Sequence, residues 1–156
     1  MKTRFLKAAD SFFGPLACRV LARRKASSGG RAMPPRPPES RALSDFRKKS
    51  ILVIRPGGMG DAVLLLPALF GLKKAFPDCE IDVLCELRNE PVFRMSGIVR
   101  ETICYDRSPI RAIRKLRCGG WPVVADTEQF HHASAAMAAF SGAPICIGFA
   151  MNPARQ

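Results

Sequence analysis

Within seven positions, Arg55-Pro56-Gly57-Gly58-Met59-Gly60-Asp61 brings together a guanidinium, three glycines and a carboxylate. A guanidinium holds a phosphate or carboxylate through two parallel hydrogen bonds. A carboxylate beside a hydroxyl can take its proton, and glycine backbone lies open to a ligand. A second polar group, Asp126, Glu128, Gln129, His131 and His132, follows the apolar run Val123 to Ala125. Each residue also has a plain structural use. Asp61 stands where a helix N-cap belongs, a role worth about 0.5–2 kcal/mol, and Arg55 can simply cover the end of a sheet.

The elements around these residues decide between the uses. Ile51, Leu52, Val53 and Ile54 are four branched apolar residues in a row, the pattern of a strand buried on both faces of a parallel sheet. Pro56 ends that strand, the glycines turn the chain, and the apolar run Ala62 to Leu66 opens a helix. Strand, turn and helix in that order place Arg55 and Asp61 at the carboxyl edge of the sheet, where open α/β sheets bind ligands.

Two familiar glycine motifs fit poorly. A phosphate-binding loop needs Lys and then Ser or Thr after its last glycine, and Asp61-Ala62 stands there. A dinucleotide fingerprint needs Gly or Ala in its third slot, which Val63 occupies, although Glu86 could serve as the ribose-binding acid. Adjacent helical histidines point in different directions, so His131 and His132 do not suggest a shared metal.

Beyond the turn, strand and helix alternate. The pattern predicts helices over about Asp61 to Ala75, Val92 to Met95, Ile110 to Arg117 and Gln129 to Phe140. It predicts strands over Ile81 to Cys85, Val99 to Tyr105, Val123 to Asp126 and Ile145 to Phe149. The expected fold is α/β, a doubly wound, Rossmann-like parallel sheet.

Several segments resemble glycosyltransferase family nine, the bacterial heptosyltransferases. Arg55-x-x-x-x-Gly60-Asp61 with Pro67 is similar to the family's opening motif. Phe76-Pro77-Asp78-x-Glu80-Ile81-Asp82 resembles its approach to the second strand. Val123 to His131 and Ser141 to Phe149 resemble the segment after its fourth strand and its exit into the fifth. The resemblance covers residues 50 to 150 and implies the acceptor-side N-terminal half of a two-domain GT-B enzyme. It implies inverting transfer from a nucleotide-sugar to a lipopolysaccharide core or related glycolipid, with Asp61 as general base. Arg55, Gly57, Gly58, Gly60, Glu128 and Gln129 become candidate acceptor contacts; no metal and no resident cofactor are expected. The donor-binding second domain is expected to lie outside these 156 residues, so that the chain alone neither binds the donor tightly nor turns over. The alternatives are a non-catalytic acceptor-binding module or gene fragment and, in another class, a dinucleotide-binding Rossmann protein.

The net charge of +12 is unevenly spread. Residues 1–49 hold 13 Lys/Arg against 3 Asp/Glu, and residues 50–156 hold 12 against 10. Three parts are therefore expected: a basic amphipathic segment over 1–25, a Pro/Gly/Ser-rich linker over 26–49, and the α/β domain over 50–156. Phe5, Ala9, Phe12, Phe13, Leu16 and Val20 gather on one helical face of the first segment, flanked by cations. Such a segment suits an anionic membrane surface and is too short in apolar residues to span it. No nucleic-acid motif accompanies the charge. The six cysteines form no C-x-x-C pair, which fits a reducing cytosol. The expected location is cytoplasmic, peripheral at the cytosolic face of the inner membrane.

Overall fold

The computed structural model describes residues 50–149. The expected amphipathic segment, the linker and residues 150–156 lie outside the described residues. Within them run β1 (Ser50–Arg55), α1 (Met59–Ala75), β2 (Glu80–Cys85), α2 (Glu90–Met95), β3 (Val99–Cys104), α3 (Pro109–Cys118), β4 (Val123–Asp126), α4 (His132–Phe140) and β5 (Ile145–Ile147).

All strand pairs are parallel, in the order β3-β2-β1-β4-β5. The central β1 explains the unbroken run Ile51 to Ile54: it has a helix layer on each side, so both alternating sets of side chains need to be apolar. Ile51 and Val53 pack with Ile81, Val83, Val123 and Phe93 beneath α1 and α2. Leu52 and Ile54 pack with Leu84, Ile103, Val124 and Trp121 beneath α3 and α4. Full burial of each large aliphatic or aromatic side chain contributes about 1.5–3 kcal/mol. The fold is an α/β, doubly wound parallel sheet, and the chain reverses its direction of winding between β1 and β4.

A carboxylate with no solvent exposure sits inside this core. Asp82 in β2 is fully buried. It accepts hydrogen bonds from Arg100 Nε (2.9 Å) and Trp121 Nε1 (2.7 Å), and Arg100 Nη2 pairs with its second oxygen. Arg100 also pairs with Glu80. These bonds hold the Arg100 guanidinium above its usual pKa, the hydrogen bond to Asp82 being the main cause. Trp121 reaches Asp82 across Gly119, where an added Cβ would lie 2.2 Å from the indole ring. The network lies toward the amino ends of β2 and β3, away from Arg55, and its work is structural.

Element boundaries depart from the sequence expectations at several ends. β3 stops at Cys104 rather than Tyr105, and β5 at Ile147 rather than Phe149. The short helix begins at Glu90, ahead of Val92, because Asn89 folds the turn before it. The largest shift is in α4, which begins at His132, three residues after the expected Gln129.

Candidate functional site

The turn after β1 is tighter than its sequence suggests. Gly57 has φ +106°, a conformation other residues rarely adopt. Gly58 is extended and caps α1 without a side chain, so the helix begins at Met59. Asp61 is therefore not the N-cap. The chain reversal is completed at Gly57 and Gly58, and Ala62 N–H donates to the Gly58 carbonyl at 3.3 Å. This leaves Asp61 in the first turn of α1, where a carboxylate still suits the helix dipole. Its side chain is 54% exposed and makes one polar contact among the described residues, an ion pair to Arg55 Nη2 at 3.0 Å. Gly60 is not demanded by space, since a Cβ there would meet nothing within 4 Å.

Arg55 is 14% exposed and ties both sides of the switch point together. Its Nη1 donates to the Thr127 carbonyl at 2.7 Å, Nη2 meets Asp61, and Glu128 lies 3.9 Å away. Its buried Nε has no partner among the described residues. The expected two-pronged grip on a ligand is thus largely taken up by the protein itself, and Arg55 orients Asp61.

The loop 127–131 forms because β4 and β1 need closing at their carboxyl ends. Thr127 gives both its N–H (3.1 Å) and its hydroxyl (2.9 Å) to the Ile54 carbonyl. The buried Glu128 carboxylate accepts the N–H groups of Gln129 and Phe130, each at 3.0 Å, while Asp126 accepts that of Glu128. Side-chain acceptance of these N–H groups replaces helical bonding and delays α4. Glu128 is accordingly a loop former.

The third wall was not foreseen. Asn89, fully buried, donates to the Arg55 carbonyl at 3.0 Å and accepts from Glu86 N–H at 2.9 Å. Glu86, considered above as a ribose-binding acid, is occupied by the Tyr105 hydroxyl (2.7 Å) and Arg88 (2.5 Å). Asp106 accepts from Leu87 N–H at 2.9 Å. Burial, with Glu86 beside it, pushes the Tyr105 phenol well above its usual range. Burial likewise raises the thiols of Cys85 and Cys104, whose sulfurs lie 4.0 Å apart just beneath this wall. Tyr105 is the chain's only tyrosine and ends a predicted strand, a signal that could have drawn attention; nothing in the local sequence marks Asn89.

These walls enclose an open cleft of about 1450 Å³. Arg55, Gly57, Gly58, Asp61, Glu128 and Gln129 line it, together with Glu86, Arg88 and Tyr105; Gly60 does not. One end is rich in carboxylates. The other runs between α3 and α4 over Ala112, Leu116, Met137 and Phe140. The cleft can therefore seat a hydroxyl-rich group beside Asp61 and an apolar group farther along. Among the described residues no group of three His, Cys, Asp or Glu side chains is placed to hold a metal ion.

No family model matches the sequence, and no curated protein does. Solved structures do match. A glycosyl transferase family 9 protein from Veillonella parvula DSM 2008 aligns with TM-score 0.55 at 22% identity, over 65% of this chain and 32% of that one. The E. coli ADP-heptose lps heptosyltransferase II aligns with TM-score 0.54 at 25% identity, over 64% of this chain and 30% of that one. The described domain shares its α/β fold with part of these glycosyltransferase structures. The chain spans about a third of the length of these structures. In this family-9-like domain, Asp61 and Arg55 stand at the carboxyl edge of the central strand, beside the switch point where ligands of open α/β sheets bind.

Proposed function

We propose that this domain is the acceptor side of a heptosyltransferase-type glycosyltransferase and that Asp61 is its general base. One observation carries the reading: in a family-9-like fold, the Asp61 carboxylate is held from one oxygen by Arg55 and faces an open cleft at the switch point. Asp61 takes the proton from an acceptor hydroxyl as that oxygen bonds to the anomeric carbon of a nucleotide-sugar. The bond from that carbon to the diphosphate breaks, and its electron pair leaves with the nucleotide. Direct displacement inverts the anomeric centre and needs one carboxylate. The acceptor is a lipopolysaccharide core or related glycolipid, contacted by Gly57, Gly58, Glu128 and Gln129. The donor is an ADP-sugar held by a second domain facing this edge, and the enzyme works at the cytosolic face of the inner membrane.

Asp61→Asn keeps the side chain's size while removing the base. Transfer from ADP-heptose to a lipopolysaccharide-core acceptor should fall about 10²–10⁴-fold in the full-length protein, with acceptor binding and folding retained. Full activity of the variant would remove Asp61 from the chemistry. A second reading is a module that binds acceptor without transferring sugar. Acceptor binding without turnover or ADP-sugar binding would select it.

A further inference from the structure

The outward face of α3 is unlike an ordinary solvated helix face. Ala112 and Leu116 are buried against the sheet, and Lys115 reaches back to Glu101 at 2.7 Å. Ile110, Ile113, Arg114 and Arg117 follow one another at i, i+3, i+4 and i+7, which places them on one stripe pointing away from the core. Ile110 is 82% exposed and Ile113 53% exposed. Residues 107–118 carry five Lys/Arg and no Asp or Glu. Arg107 and Arg114 make no ion pair among the described residues, and Arg117 lies 5.0 Å above the Phe140 ring.

Exposed isoleucines cost solvation unless something covers them, and cations set among them define what that is. A nucleic acid would use the arginines and leave the isoleucines in water. A bilayer of anionic lipids uses both, the side chains entering the headgroup boundary while the guanidiniums meet lipid phosphates. The position agrees. The N-terminal end of α3 lies at the carboxyl edge, Ile113 also lines the cleft, and exposed Leu87 and Phe130 stand on loops at the same rim. We propose that the Ile110, Ile113, Arg107 and Arg114 face of α3 docks the domain on an anionic lipid surface, with the cleft mouth turned toward the bilayer. This surface is built from residues of the described domain and not from the basic residues of 1–25.

The test uses the full chain and vesicles of phosphatidylcholine and phosphatidylglycerol in equal parts. Trp121 is the chain's single tryptophan and is buried, so Ile110→Trp adds a reporter at the proposed contact. Vesicles should shift its emission to the blue, and brominated acyl chains should quench it, with Trp121 in the unmodified chain unaffected. Replacing Arg107 and Arg114 by Gln should weaken vesicle binding about five-fold per cation, and pure phosphatidylcholine should bind poorly. Asp61→Asn should dock as the unmodified chain does, which separates this proposal from the transfer reading. Failure of the chain to bind vesicles would overturn it. So would binding that leaves the introduced tryptophan unshifted and unquenched, because residues 1–25 or another surface would then make the contact.

Discussion

Arg55 and Asp61, six positions apart in the chain, meet at 3.0 Å, while the same guanidinium reaches the Thr127 carbonyl at 2.7 Å. One side chain thus sets the direction of the candidate base and closes the gap between β1 and the loop after β4. Arg55→Lys keeps the charge but cannot serve both partners, because an ammonium lacks the planar fork. The expected result is a fall in kcat of about ten-fold or more with KM less changed, as for a residue that orients the base. Equal loss in both parameters would instead mark Arg55 as a direct acceptor contact.

Asn89 satisfies the Arg55 carbonyl and the Glu86 N–H from a fully buried position. Asn89→Ala leaves both groups unpaired. A loss of about 1–3 kcal/mol is expected in denaturant unfolding, with Asn89→Asp recovering only the acceptor half. A loss below the error of the measurement would show that water replaces the amide freely.

Trp121 and Gly119 can be probed together because they serve one contact. Trp121→Phe removes the hydrogen bond to the buried Asp82 carboxylate and should destabilise by about 1.5–3 kcal/mol. Gly119→Ala drives a methyl into the indole ring, at an expected cost of about 1–3 kcal/mol. The double variant Gly119→Ala/Trp121→Phe should lose less than the two singles combined, since both act on one ring position. Strict additivity in thermal or denaturant unfolding would contradict that coupling.

Stability should decline on the alkaline side. Cys85 and Cys104 start from an ordinary thiol pKa of 9.0 and Tyr105 from 10.0, and burial raises all three in the folded chain. Above about pH 9 the unfolded chain releases protons that the folded chain keeps. The unfolded state then binds fewer protons, so stability falls as pH rises, by up to about 1.4 kcal/mol per unit per group. Below that pH these groups contribute no slope. Urea unfolding from pH 7 to 11 measures the fall, and Cys85→Ala should flatten it; a stability flat through pH 11 would contradict the assignment.

The sequence by itself determined the alternation of strand and helix, the burial of β1 on both faces and the turn carrying Arg55 to Asp61. Those features rest on local patterns: Ile51 to Ile54 can be apolar throughout only between two layers, and glycine beside a strand's end permits a sharp reversal. Tertiary structure decided the rest. That Gly58, not Asp61, opens α1 depends on the positive φ of Gly57. That Gln129 lies in a loop depends on Thr127 reaching Ile54, 73 positions away, and on Glu128 holding the N–H groups a helix would have used. Asn89 gained its place only when β1 and β2 lay side by side. Ile110 to Arg117 was legible as a helix, but which face turned outward was settled by Ala112 and Leu116 packing inward. Periodicity states which residues share a face. The sheet's strand order states what that face meets, because it joins residues whose separation along the chain leaves no local trace.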